Sequence, residues 1–274
     1  MQEKKAFSGY HLKMIALVTM LIDHVAAVVI WRVYVVSYRM TGSMQRSEAI
    51  SDRIIVWTAE HQDLVYTIYE NMRLIGRMAF PIYCFLLVEG FLHTRNVKKY
   101  ALRLLLFAFL SEIPFDLALT GRIWDISYSN VFFTLVIALF AMWAFSYVEN
   151  FAEFWKEKQW DSFLGTLVVV MAGVLVTAVC GGFAELVLKT DYGFAGVFAI
   201  IVMYLLRSTR VISFAAGIFV LTIFSSNTEI LALCMLYPLM LYDGSRGKSL
   251  KYVFYAFYPA HLLVLALICM ALGV

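Results

Sequence analysis

The 274-residue chain is 62% hydrophobic and only 15% charged, with a formal net charge of +3 and a mean hydropathy of +0.80. Soluble domains average about 25% charged residues, so this composition excludes a soluble protein and points to an integral membrane one. The small positive charge is no argument for nucleic acid, because in a membrane protein the placement of Lys and Arg matters more than their sum.

The first predicted element, Leu12–Val36, is an almost unbroken apolar run with Asp23 and His24 near its middle. At ~1.5 Å rise per residue it makes roughly 37 Å of helix, enough to cross a ~30 Å hydrocarbon core with some tilt. Asp23 and His24 then lie roughly 17 Å in, where an ionised carboxylate costs at least ~3 kcal/mol on insertion scales. Both side chains are expected to face protein or a wet cavity. The run is too long, and too polar at its centre, for a cleaved signal peptide. A polar segment follows at 37–63, within which 50–57 is too short to span and reads as a surface helix or lid.

Eight further spans are predicted: 74–92 with Arg77, Pro81 and Glu89; 100–119 with Glu112, Pro114 and Asp116; 130–148, opened by Asn130; 163–188 with Glu185; 191–206, opened by Asp191; 211–224; 229–242; and 252–274 with Pro259 and His261. The fold class is therefore all-α, a polytopic membrane protein of about nine transmembrane helices in one bundle. No polar stretch is long enough to hide a soluble domain, so 1–274 reads as one domain. Nine spans put the termini on opposite sides. With the N-terminus cytoplasmic, fourteen of the 22 Lys and Arg fall on the cytoplasmic side, as the positive-inside rule asks. The exception is the first outer loop with its flanking helix ends, which holds Arg32, Arg39, Arg46, Arg53, Arg73 and Arg77. These six either meet an acidic substrate or are neutralised by neighbouring acids.

Several polar groups lie where lipid would reject them. Asp23 and His24 read either as a packing pair or as a proton-handling site. Glu112 and Asp116 share a helix face at i,i+4 around Pro114, which frees a backbone carbonyl. Two carboxylates there need a cation or a proton between them, and Arg77 is a candidate. Glu89 and His93 form a second i,i+4 pair. His261 follows a Tyr258-Pro259 bend and is either a packing or a catalytic histidine. Arg95, Lys98, Lys99 and Arg103 make the densest basic cluster; it either sets topology and meets anionic lipid or holds the phosphates of a nucleotide-bearing donor. The four cysteines sit singly in apolar runs and suggest neither a disulfide nor a metal site. No dinucleotide fingerprint, phosphate-binding loop, zinc-protease motif or nucleophile elbow is present.

The segments LKMIALVTMLIDH, RLIGRMAFPIYCFLLVEGFLHTRNVKKYALRLLLFAFLSEIPFDL, NVFFTL, DYGFAGV and FYPAHLLVL, taken in order, resemble the TraX family. The resemblance implies a multispan acetyltransferase of the bacterial cytoplasmic membrane, of the kind named for N-terminal acetylation of pilin. It also implies kinship with membrane acyltransferases that take acetyl from cytoplasmic acetyl-CoA and pass it to an outer-face acceptor, a pilin peptide or a surface glycan or lipid. The early-helix histidine of that group falls on His24.

The reading that results is an acetyl-CoA-dependent N- or O-acetyltransferase. His24 would be the base, or would carry the acetyl group transiently. Asp23, about 100° round the helix, would orient either His24 or another group instead. His261 would support His24 or be the base itself, and Arg95, Lys98, Lys99 and Arg103 would lie at the donor's phosphates. Arg77 or Asn130 would stand at the thioester oxygen, and Glu89, Glu112, Asp116 and Asp191 would complete a polar core, without a metal. The partners are the bilayer, the acyl-CoA donor and the acceptor. The other reading, a proton-coupled transporter, would use the same buried groups but would be expected to show an inverted repeat, whereas the charged motifs here crowd into the first half.

Overall fold

The computed structural model describes residues 7–40, 50–157, 162–249 and 251–274. In chain order they form α1 (Gly9–His24), a π-helical turn (Val25–Ile30), α2 (Trp31–Met40), α3 (Ile50–Glu60), α4 (Gln62–Gly76), α5 (Ala79–Leu92), α6 (Val97–Leu119), α7 (Val131–Glu157) and α8 (Ser162–Gly182). A second π turn (Phe183–Val187) leads to α9 (Gly193–Leu205), α10 (Arg210–Phe224), a 3-10 segment (Asn227–Met235), α11 (Leu236–Met240) and α12 (Lys251–Leu272). Among the described residues nothing extended is longer than an isolated bridge, such as the one between Ser129 and Thr190. The protein is an all-α, multi-pass membrane protein.

Every predicted span is helical, but the count of nine crossings does not follow from the structure. Among the described residues five helical stretches are long and apolar enough to cross: Gly9–Arg39, Gln62–Leu92, Val131–Asn150, Gly165–Val187 and Tyr252–Leu272. The predicted third span is the 23-residue α6, whose apolar stretch carries Arg103, Glu112 and Asp116. The predicted sixth and seventh are α9 and α10, of 13 and 15 residues. At ~1.5 Å per residue each falls short of a ~30 Å core. The predicted eighth is a 3-10 segment running into the five-residue α11.

The described chain divides into two compact units. One comprises Phe7–Phe80, Leu110–Asp125 and Asp243–Val274. Here Ser8 starts α1, its backbone N–H donating to His11 Nδ1 at 3.1 Å, which satisfies one donor that an open helix end leaves over. The π turn continues α1 into α2, where Trp31, Tyr34, Tyr66 and Tyr69 tie α2 to α4 through ring contacts of 5.1–6.1 Å. Arg32 closes the far end of α6, its Nη2 donating to the carbonyls of Leu117 (2.9 Å) and Ala118 (2.7 Å). A cation at a helix C-terminus also meets the negative end of its dipole. The predicted surface helix is α3, amphipathic, with Ile55 and Thr58 buried and Ile54 and Trp57 exposed.

The other unit comprises Pro81–Phe109 and Ile126–Tyr242. Its core is aromatic: Phe85 meets Phe214 edge-on at 6.0 Å, and Phe145 meets Tyr204 likewise at 6.1 Å. Asn96 caps α6 by accepting from Lys99 N–H at 2.9 Å. Glu149, Arg207 and Tyr204 close one end of this unit, with Arg207 Nη2 at 3.0 Å and Tyr204 Oη at 2.7 Å from the carboxylate. Of the cysteines, Cys84 and Cys269 are buried as expected of core residues, Cys180 is half-buried and Cys234 is exposed.

Candidate functional site

Two of the predicted residues, far apart in sequence, meet in the first of these units. His24 is the last residue of α1 before the π turn, and π turns recur at functional positions because they re-aim side chains. His261 lies on α12, two residues past Pro259, and is buried. Its Nε2 is 2.9 Å from His24 Nδ1. Its Nδ1 is 2.7 Å from the Phe257 carbonyl oxygen, and its ring stacks on that of Phe257 at 4.8 Å and 15°. Tyr258 stands edge-on to both imidazoles, at 5.9 and 5.7 Å.

These contacts order the hydrogens. A carbonyl only accepts, so His261 Nδ1 carries the hydrogen shared with Phe257. With both rings neutral, His261 Nε2 is then a lone pair and accepts from His24 Nδ1–H. His24 Nε2 is left with its lone pair: the basic nitrogen of the pair. A proton arriving there is shared along Nδ1–H towards His261.

Asp23 serves a different partner. It lies about 100° round the helix from His24, and its Oδ2 accepts from Arg73 Nη1 at 2.6 Å. Gly76, one turn further along α4, makes room: a Cβ there would sit 2.1 Å from Asp23 Oδ1. Sequence reasoning missed Arg73, Gly76 and the Phe257 carbonyl. Arg73 reads in the sequence only as one of six arginines near the first outer loop, and a backbone acceptor leaves no mark in a sequence. The i,i+3 step from Arg73 to Gly76 was the available signal, since a glycine inside an apolar span often marks a close approach.

The family described as "TraX protein" matches residues 8–269. The chain belongs to the TraX family. It is also similar to the "Probable fimbrial assembly protein FimC, serogroup H1" of Dichelobacter nodosus, with 28% identity over 290 residues that cover 97% of this chain and 96% of that protein. No solved structure matches.

The other predicted residues of this TraX family member fall into two groups. In the unit that holds His24, Arg77 caps the end of α4, its N–H reaching the Leu74 carbonyl at 3.3 Å. Glu112 and Asp116 are both buried, and Asp116 Oδ2 accepts from the Asp125 backbone at 2.8 Å, which folds the 120–125 turn back onto α6. In the other unit, Glu89 takes Arg210 (3.5 Å) and Tyr242 Oη (3.4 Å). Asn130 is fully buried and structural in its contacts: its Oδ1 accepts from Phe132 N–H, capping α7, and its amide donates to the Ala108 carbonyl at 2.8 Å. Asp191 accepts from Tyr128 Oη at 2.7 Å. Arg95, Lys98 and Lys99 are exposed at the start of α6, while Arg103 is half-buried with its guanidinium 5.8 Å from the Tyr100 ring centre. Among the described residues no His, Cys, Asp and Glu group has the makings of a metal site.

Proposed function

We propose that this TraX family protein is a membrane acetyltransferase in which His24 is the general base and His261 sets its tautomer. The observation that carries the reading is the His24–His261–Phe257 chain of hydrogen bonds, which leaves one imidazole nitrogen basic and aimed away from its partner. The donor is acetyl-CoA and the acceptor a primary amine or hydroxyl. The family and the relative named for fimbrial assembly support the N-terminal amine of a pilin-like chain.

In the reaction, His24 Nε2 takes the proton of the acceptor N–H as its nitrogen attacks the thioester carbonyl. The C–N bond forms, the C–S bond breaks, and the coenzyme A thiolate receives the proton back from His24. The imidazolium is stabilised in between, because its Nδ1–H already points at the His261 lone pair. The same geometry weighs against a proton-coupled transporter. Beyond His261 the chain ends on a helix carbonyl, which passes no proton onward.

Arg95, Lys98, Lys99 and Arg103 are proposed to hold the donor's phosphates, and their clustering at the first turns of α6 supports this, because a helix N-terminus favours anions.

The test is acetyl transfer from radiolabelled acetyl-CoA to a peptide with a free N-terminal amine, by purified protein in lipid. General-base catalysis is worth roughly a hundred- to ten-thousand-fold, so His24→Gln should lose at least ~100-fold in turnover while keeping its fold and its affinity for coenzyme A. Near-normal turnover by folded His24→Gln returns the histidine to packing.

A further inference from the structure

The thioester carbonyl acquires negative charge as it is attacked, and a dry site must supply a cation or dipole to meet it. Of the groups the sequence offers for this duty, Asn130 is used within the other unit, while Arg77 caps α4 with its backbone N–H. A third, Arg73, is bound to Asp23, the neighbour of the base in sequence. Asp23 lies mid-way along the Gly9–Arg39 stretch, and Arg73, in the last turn of α4, is bound to it at that depth, yet their side chains are 20% and 25% exposed. Lipid rejects a guanidinium at that depth, so the open side of this pair faces an enclosed or wetted space. The Asp23 contact is through Nη1 at 2.6 Å, whereas a guanidinium offers five N–H groups in a rigid fork. The short contact and the missing Cβ at Gly76 hold that fork on Asp23, the residue that precedes His24.

We infer that Arg73 is a catalytic residue that binds the oxyanion formed on the acetyl carbonyl, and that Asp23 is the positioning residue that aims it. This rests on the acetyltransferase reading and gives the site its second half: His24 takes the proton while Arg73 takes the charge. Electrons shift from the C=O bond onto oxygen as the acceptor adds, and return as the thiolate leaves. Asp23 keeps the guanidinium oriented before substrate arrives, so little reorganisation is needed during reaction.

An ion pair that merely ties α1 to α4 predicts the opposite of this when both charges are removed. The experiment compares Asp23→Asn, Arg73→Gln and the double variant in the transfer assay, with coenzyme A affinity and thermal unfolding measured alongside. Losing one oxyanion donor costs roughly a hundred- to a thousand-fold in kcat. The double variant, which leaves no uncompensated charge, should unfold like wild type and bind coenzyme A normally, yet lose at least ~100-fold in kcat. Asp23→Asn alone, which keeps the guanidinium but not its aim, should fall by roughly tenfold. A double variant within about threefold of wild type overturns the inference. Arg73→Lys gives a second reading that keeps the ion pair: it should lose at least about tenfold in kcat with KM little changed, and wild-type kcat there overturns the inference as well. Inactive His24→Gln together with an active double variant removes only Arg73's role; active His24→Gln removes the acetyltransferase reading and Arg73's role with it.

Discussion

His261 is held by three different contacts, and each makes a separate demand. Its Nδ1–H is anchored on Phe257, its ring stacks on the same residue, and its Nε2 accepts from His24. The first leaves Nε2 free to accept, and the last acts on the base directly; substitution separates that acceptor from the ring's packing. His261→Gln presents an amide oxygen towards His24 Nδ1–H and so preserves the tautomer. His261→Leu fills the space without an acceptor and leaves a buried donor unmet, which costs ~1–3 kcal/mol. Acetyl transfer by His261→Gln should therefore exceed that of His261→Leu by at least about tenfold, with both above His24→Gln. Equal activities would show that the acceptor is irrelevant and that His261 is packing. At this scale the sequence was legible for His24 and His261, because a titratable group inside an apolar run is conspicuous. Their pairing was not, since 237 positions separate them and nothing local encodes the contact. Arg73 was obscured for the converse reason: it sits among many arginines.

Helix α6 joins two kinds of chemistry along one element. Its first turns carry Lys98 and Lys99 in the open, while further along Glu112 and Asp116 are buried. If the exposed lysines hold donor phosphates, the double change Lys98→Ala with Lys99→Ala should weaken acetyl-CoA binding and leave the remainder less sensitive to salt, because fewer screened contacts remain. Turnover at saturating donor should stay near wild type. An unchanged dissociation constant in a normally expressed variant would confine these lysines to setting topology. Most helices were legible as elements, since long apolar runs have no other way to satisfy their backbone in lipid. The π turns at Val25–Ile30 and Phe183–Val187 were not. In a helix apolar all round there is no stripe whose drift would betray a change of pitch.

For the whole molecule, the expectation from basic residues is a cytoplasmic N-terminus, with the segment around Lys98 and the one around Arg246 on the same side. Cysteines introduced at Lys98 and Arg246, in a background without the four native cysteines, should be labelled from the cytoplasmic face alone by an impermeant maleimide. Labelling from opposite faces would rule out nine crossings. Composition made the membrane class legible at once, but not the number of crossings. Hydropathy sees a short apolar helix such as α9 and a spanning one alike until its ends are known, and α6 was counted despite its charges. The Asp23–Arg73 contact has a consequence for how the chain is made. Its partners are 50 positions apart, and synthesis runs at about 5–20 residues per second, so several seconds separate the emergence of Asp23 from that of Arg73. During that interval α1 carries a carboxylate worth about 3 kcal/mol against insertion, with its cation still unmade. The first helix should accordingly be held at the insertion machinery until α4 arrives. Nascent chains ending near residue 60 should crosslink to the translocon, while those extended past Gly76 and beyond the exit tunnel should be released into lipid, and Arg73→Gln should prolong the hold.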